Sequence, residues 1–155
     1  MDIKFAMSVL FFWVKGEVSV DSRFVRTNLS NTILGFIPAG RDSQSIPLKN
    51  ISSSTTSTSY NIKALIGGAI LSILALSMLS DSFFIGIILL IIGVNILCSG
   101  IQIKLIIEKG GSPYVISVPF FEQGKILNIN NAIHQALSDD TDKTDLNLFF
   151  DKKIK

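Results

Sequence analysis

Cys98 and His134 are the two side chains of this chain best suited to nucleophilic or metal chemistry, and each type occurs once. A thiol becomes a strong nucleophile when a neighbouring imidazole takes its proton, so the two would have to meet in space. Cys98 closes an apolar run, whereas His134 lies on a helical pattern beside Asn130 and Asn131, which gives no local reason for such a meeting. A zinc site needs three or four ligands, and no second Cys or His is present to share the metal. Paired carboxylates in an apolar setting are absent. The glycine pairs are misplaced for a phosphate loop, since Gly67-Gly68 sits inside an apolar helix and Gly110-Gly111 at a hairpin turn. The expectation is a non-enzyme with no catalytic residue, no metal and no cofactor. Cys98 reads as a small apolar filler, with palmitoylation as the alternative, and a single Cys excludes an intrachain disulfide.

What remains is binding. The net charge of +2 hides an asymmetry, because residues 1 to 63 hold seven Lys or Arg against four acids. Cations held against an anionic bilayer surface gain on the order of 1 kcal/mol each. Lys15, Arg23 and Arg26 are the candidates for a lipid-headgroup contact, against the plainer reading of a solvated strand face. No nucleic-acid partner is expected.

The element that would position these groups is a pair of uncharged apolar runs, residues 64–79 and 83–98, joined by Ser80-Asp81-Ser82. At about 1.5 Å rise, about 17 residues span on the order of 26 Å, which predicts a two-helix transmembrane hairpin. Lys63 and Lys104 flank it and the loop carries only Asp81, so the positive-inside rule places both termini in the cytoplasm and the protein in the cell membrane. Ala64, Gly68 and Ser72 recur every four residues on the first helix, and Gly86, Gly93 and Gly100 share a face of the second with Ser82. Small stripes let helices approach closely, either within the hairpin or between copies; Asn95, opposite the glycines, could bridge subunits or reach the interface.

The flanks carry β patterns. Val14, Gly16, Val18 and Val20 alternate with polar residues, the period of a half-buried strand. The apolar stretch Phe5 to Val14 is expected as a buried first strand, with an interfacial or uncleaved signal-like segment as the alternative. Further strands are expected at 23–29, 32–37 and 45–51, with a turn at Ala39-Gly40-Arg41-Asp42 and with Pro47 marking an edge strand. Ser52 to Ser59 are all Ser or Thr and suit either a linker or an exposed strand. Residues 102–119 read as a β-hairpin turning at Gly110-Gly111-Ser112-Pro113. Ile126, Ile129, Ile133 and Leu137 recur at helical spacing. The stretch 139–155 is a polar tail with an apolar handle at Phe149-Phe150.

About six strands and a closing helix resemble the pleckstrin-homology-like domain of small bacterial membrane proteins. Phe24-Val25-Arg26, Leu34-Gly35-Phe36-Ile37-Pro38, Ile46-Pro47-Leu48-Lys49-Asn50-Ile51, Ile101 to Ile107, and Ile129-Asn130-Asn131-Ala132-Ile133 carry that resemblance. It implies a fold class of membrane protein, α+β, in which a transmembrane hairpin interrupts a cytoplasmic β-barrel or sandwich capped by a C-terminal helix. The organisation would be 1–63 as first part, 64–99 as hairpin, 100–138 as second part with its helix, and 139–155 as tail. The expected function is a non-enzymatic scaffold at the inner leaflet, with membrane lipids, further copies of itself as a homo-oligomer, or another protein as partners. A holin-like or pore-forming protein, or a phage-exclusion factor, is the alternative.

Overall fold

The computed structural model describes residues 1–9, 13–33 and 37–144. Within them the chain is α+β, with two antiparallel sheets and three helices. The first sheet has the order β1 (Asp2–Ala6), β2 (Lys15–Val20), β3 (Phe24–Ile33), β4 (Ile37–Pro47). The second has the order β5 (Ile51–Tyr60), β6 (Ile101–Lys109), β7 (Ser112–Pro119). Between β5 and β6 stand α1 (Ile62–Met78) and α2 (Phe83–Ser99), and α3 (Gln123–Thr144) follows β7.

Alternation explains the sheets. Gly16, Val18 and Val20 of β2 and Val25, Thr27 and Leu29 of β3 point inward, their neighbours outward. Gly16 is a glycine because the Phe5 ring lies where its Cβ would stand, 2.7 Å away. On β6, Ile103, Leu105 and Ile107 are buried and meet Val118, Ile116 and Tyr114 across the ladder. The turn between β6 and β7 holds Gly110 and Gly111 at φ 53° and 83°, the left-handed pair that a tight hairpin favours. Helix α3 lays Ile126, Ile129 and Ile133, each fully buried, into the one core that both sheets share. Between the sheets, the Thr27 and Tyr114 hydroxyls lie 3.1 Å apart, and Lys109 Nζ donates to Gln44 Oε1.

Several expectations are corrected. No helix among the described residues is long and apolar enough to cross a membrane, which overturns the transmembrane hairpin and the membrane-spanning fold class built on it. Helices α1 and α2 have 17 residues each, about 26 Å, against a hydrocarbon core of about 30 Å. They cannot lengthen at their base, because Tyr60 pairs with Ile101 and the Asn61 N–H donates to the Gly100 carbonyl at 2.8 Å. With no such helix among the described residues, the positive-inside argument has nothing to orient. The expected barrel is two separate sheets in the described residues, with no ladder joining them.

The first strand ends at Ala6 rather than continuing to Val14, and residues 10–12 lie outside the described residues. The turn expected at 39–42 is a bulge inside β4. Asn31 faces Gly40 and Thr32 faces Pro38, so one residue is skipped, and Gly40 takes φ 126°. The Ser/Thr run is strand β5, held by its ladder to β6 and by Ser54, whose buried hydroxyl donates to Asn130 Oδ1 at 2.6 Å. Helix α3 runs to Thr144, past the boundary drawn at Ser138; Phe149-Phe150 and the rest of 145–155 lie outside the described residues, as do Leu34, Gly35 and Phe36.

Candidate functional site at the base of the apolar hairpin

The small residues of α1 and α2 face one another. A Cβ on Gly68 would stand 2.5 Å from the Leu97 backbone nitrogen, one on Gly93 2.7 Å from Ser72 Oγ, one on Gly86 2.8 Å from Leu79 Cδ2, and one on Gly100 2.7 Å from Leu65 Cγ. Ser72 keeps its hydroxyl satisfied by donating to the Gly68 carbonyl at 2.7 Å. Gly68, Ser72, Gly86, Gly93 and Gly100 are therefore the seam of the hairpin itself, and that face has no room for a second copy. Ala64 and Asn95 lie at the base, both half-buried.

The outer faces are apolar and uncovered. Ile62, Ile66, Ile70, Ile73, Leu74 and Leu76 on α1, with Phe83, Phe84, Ile85, Ile88 and Ile91 on α2, are each more than half exposed, Phe84 reaching 80%. Between Lys63 and Lys104 the only charged residue is Asp81. Covering this surface is worth on the order of 10 kcal/mol, taking about 1 kcal/mol for each half-exposed large side chain. That is as much as the whole stability of a typical domain.

Where the hairpin meets the sheets there is a crevice of about 310 Å³. Asn61, Ala64, Asn95, Ile96 and Ser99 come from the hairpin side, Ile101, Gln102, Ser117, Val118 and Pro119 from β6 and β7, and Met7, Ser8 and Val9 from the segment after β1. Asn61 caps α1, its Oδ1 accepting from the Ala64 N–H at 3.3 Å, and the Ser99 hydroxyl donates to the Asn95 carbonyl at 2.8 Å. No side chain in this lining is ionisable. Of the residues gathered here, sequence reasoning singled out Ala64 and Asn95. It missed Asn61, whose signal was an amide residue directly before an apolar helix, and Gln102 and Ser117, which become neighbours only through the β6–β7 register.

The three headgroup candidates separate. Lys15 is exposed at the hairpin end of the first sheet, beside Lys4, Phe121, Glu122 and Lys125 around a depression of about 280 Å³. Arg23 and Arg26 belong to the opposite end, about 13 Å along the strand, where Arg26 lies 3.7 Å from Asp21. Glu122 is 6% exposed, and its Oε1 accepts from the Ala6 N–H at 2.8 Å while its other oxygen lies 2.8 Å from Lys125 Nζ. This carboxylate ties β1 to the start of α3. Burial raises the pKa of the Tyr114 hydroxyl above its ordinary value, the Thr27 hydrogen bond works against that, and Asp42 adds to the rise.

The chemical candidates do not converge. Cys98 is half-buried near the end of α2, while His134 Nε2 lies 2.9 Å from the Ser54 carbonyl. A carbonyl only accepts, so that nitrogen carries the hydrogen and the ring is employed in docking α3 on β5. Among the described residues no three His, Cys, Asp or Glu side chains gather to hold a metal. No family model, curated protein or solved structure matches this chain. Nothing in these comparisons identifies a pleckstrin-homology-like domain.

Proposed function

We propose that this is a non-enzymatic binding or scaffold protein of the cell membrane, whose short hairpin enters the apolar layer of a lipid bilayer without crossing it and holds the two-sheet domain at the surface. The observation that carries this reading is the breadth of the apolar surface. The exposed side chains lie on both helices and around a wide arc of each, so one protein partner seated on one side would leave the rest in water. A fluid apolar medium covers every side at once. Lys15, Lys4 and Lys125, at the hairpin end of the domain, would then lie near headgroups and favour anionic ones.

The test is flotation of the purified full chain with vesicles of phosphatidylcholine and phosphatidylglycerol, after removal of detergent. Expected is co-flotation that survives high salt, lost when Ile73 and Ile88 are both changed to Asp. A detergent-free, monodisperse oligomer that stays at the bottom of the gradient would instead show that copies of the chain cover the hairpin, and would overturn the lipid reading.

A further inference from the structure

We infer that the crevice at the hairpin base binds the uncharged head of a neutral glycerolipid, one with a free hydroxyl and ester carbonyls, its acyl chain lying along the hairpin. The inference deepens the lipid reading and rests on it. Three observations lead to it. Among the described residues no charged side chain lines this crevice; the polar groups that do are amides and hydroxyls, Asn61, Asn95, Gln102, Ser99 and Ser117 among them. Such a set offers donors for ester carbonyls and acceptors for a hydroxyl; Lys104 stands opposite Ser117 in the ladder but is not part of the lining, so a phosphate or carboxylate seated within the crevice would be desolvated without a cation beside it there.

The volume, about 310 Å³, lies at the small end of ligand sites. It holds a glycerol head and the first carbons of a chain, not a whole lipid. The remainder has a place to go, because Asn95 and Ile96 lie one to two turns from Ile92, Ile91 and Ile88 on the same side of α2, where those side chains are exposed. The polar end and the apolar track thus follow one another in the order of an amphiphile's own parts.

The experiment is photolabelling of the full chain in detergent micelles with a diacylglycerol bearing a diazirine near its glycerol, followed by mapping of the labelled peptides. Expected is labelling concentrated at Met7–Val9 and across 95–102, displaced by unlabelled dioleoylglycerol and not by equal oleate or dioleoyl phosphatidylglycerol. Asn95→Leu and Gln102→Leu should each lower it at least fivefold with the thermal midpoint unchanged. Labelling spread evenly along both helices, or displaced equally by phosphatidylglycerol, overturns the inference. Should either variant unfold, the competition on the unaltered chain decides alone. Flotation of the same preparation separates the two ideas: floating without focused labelling defeats the crevice only, and focused labelling without floating defeats the hairpin reading.

Discussion

Gly67 and Gly68 are adjacent on α1, carry the same side chain, and should respond oppositely to the same methyl group. At Gly68 an added Cβ would lie 2.5 Å from the Leu97 nitrogen, 2.8 Å from its Cα and 2.9 Å from the Gly93 carbonyl oxygen. All three atoms are backbone, so no side chain can rotate away, and ordinary contact near 3.5 Å requires the helices to part by about 1 Å. Overpacking of this kind costs about 1–3 kcal/mol, and here the higher figure applies because a rigid helix must move. At Gly67 nothing lies within 4 Å of the added atom. Alanine there removes the glycine's backbone-entropy penalty and gains about 0.5–1 kcal/mol. For a chain of this size 1 kcal/mol moves the midpoint by about 2–4 °C. Thermal unfolding followed by helical circular dichroism should therefore give a Gly68→Ala midpoint lower by about 6–12 °C and a Gly67→Ala midpoint higher by about 2 °C. Equal shifts of the same sign would show that the hairpin seam does not run through Gly68.

Two further outcomes follow from the buried polar groups. Tyr114 ionises at a higher pH folded than unfolded, so the folded chain holds a proton that the unfolded chain has released; its contribution is complete below about pH 10 and falls as pH rises through the folded value. The urea midpoint should decline as pH rises above about 9, Tyr114→Phe should flatten that decline, and an unchanged slope refutes the assignment. Glu122→Leu leaves the Ala6 N–H without its acceptor and should cost about 1–3 kcal/mol in denaturant unfolding. Glu122→Gln keeps an oxygen there and gives up only the pairing with half-exposed Lys125, about 1 kcal/mol or less; equal costs would mean that the ion pair, not the backbone bond, matters.

Legibility in the sequence tracked the range of the interaction that decides each element. The β2 alternation, the Gly110-Gly111 turn and the isoleucine spacing of α3 are settled by neighbours within one turn or one strand, and all three were readable. Gly40 was misread because a positive φ serves a bulge as well as a turn, and only the β3–β4 register tells them apart. The Ser/Thr run was undecidable for a related reason: what makes it a strand is Ile103, Leu105 and Ile107 on β6 and Asn130 on α3, none of them nearby in the chain. The apolarity and the length of the hairpin were both plain, at about 17 residues a helix; what was not is that the helices gain no further turn at their base, where Tyr60 must meet Ile101. Of the crevice only Ala64 and Asn95 stood out, because tertiary packing assembles it from four separated segments, 7–9, 61–64, 95–102 and 117–119.

The place of the hairpin ties its surroundings to the rest of the fold. Strands β5 and β6 form an ordinary antiparallel pair whose connection is α1 and α2 instead of a tight turn. A flexible connection of about 40 residues in place of about two would oppose that pairing by about 2.7 kcal/mol of closure entropy. The hairpin removes the penalty only when it is itself formed, because the close packing of Gly68 on Leu97 and Gly93 on Ser72 brings Asn61 and Gly100 within hydrogen-bonding distance. Whatever apolar medium covers Ile66, Ile73 and Phe84 therefore stabilises the second sheet as well, and through Ser54 and His134 the seating of α3 over the common core. Covering the hairpin and folding the domain become one equilibrium, and a domain so built is most stable where its hairpin is engaged.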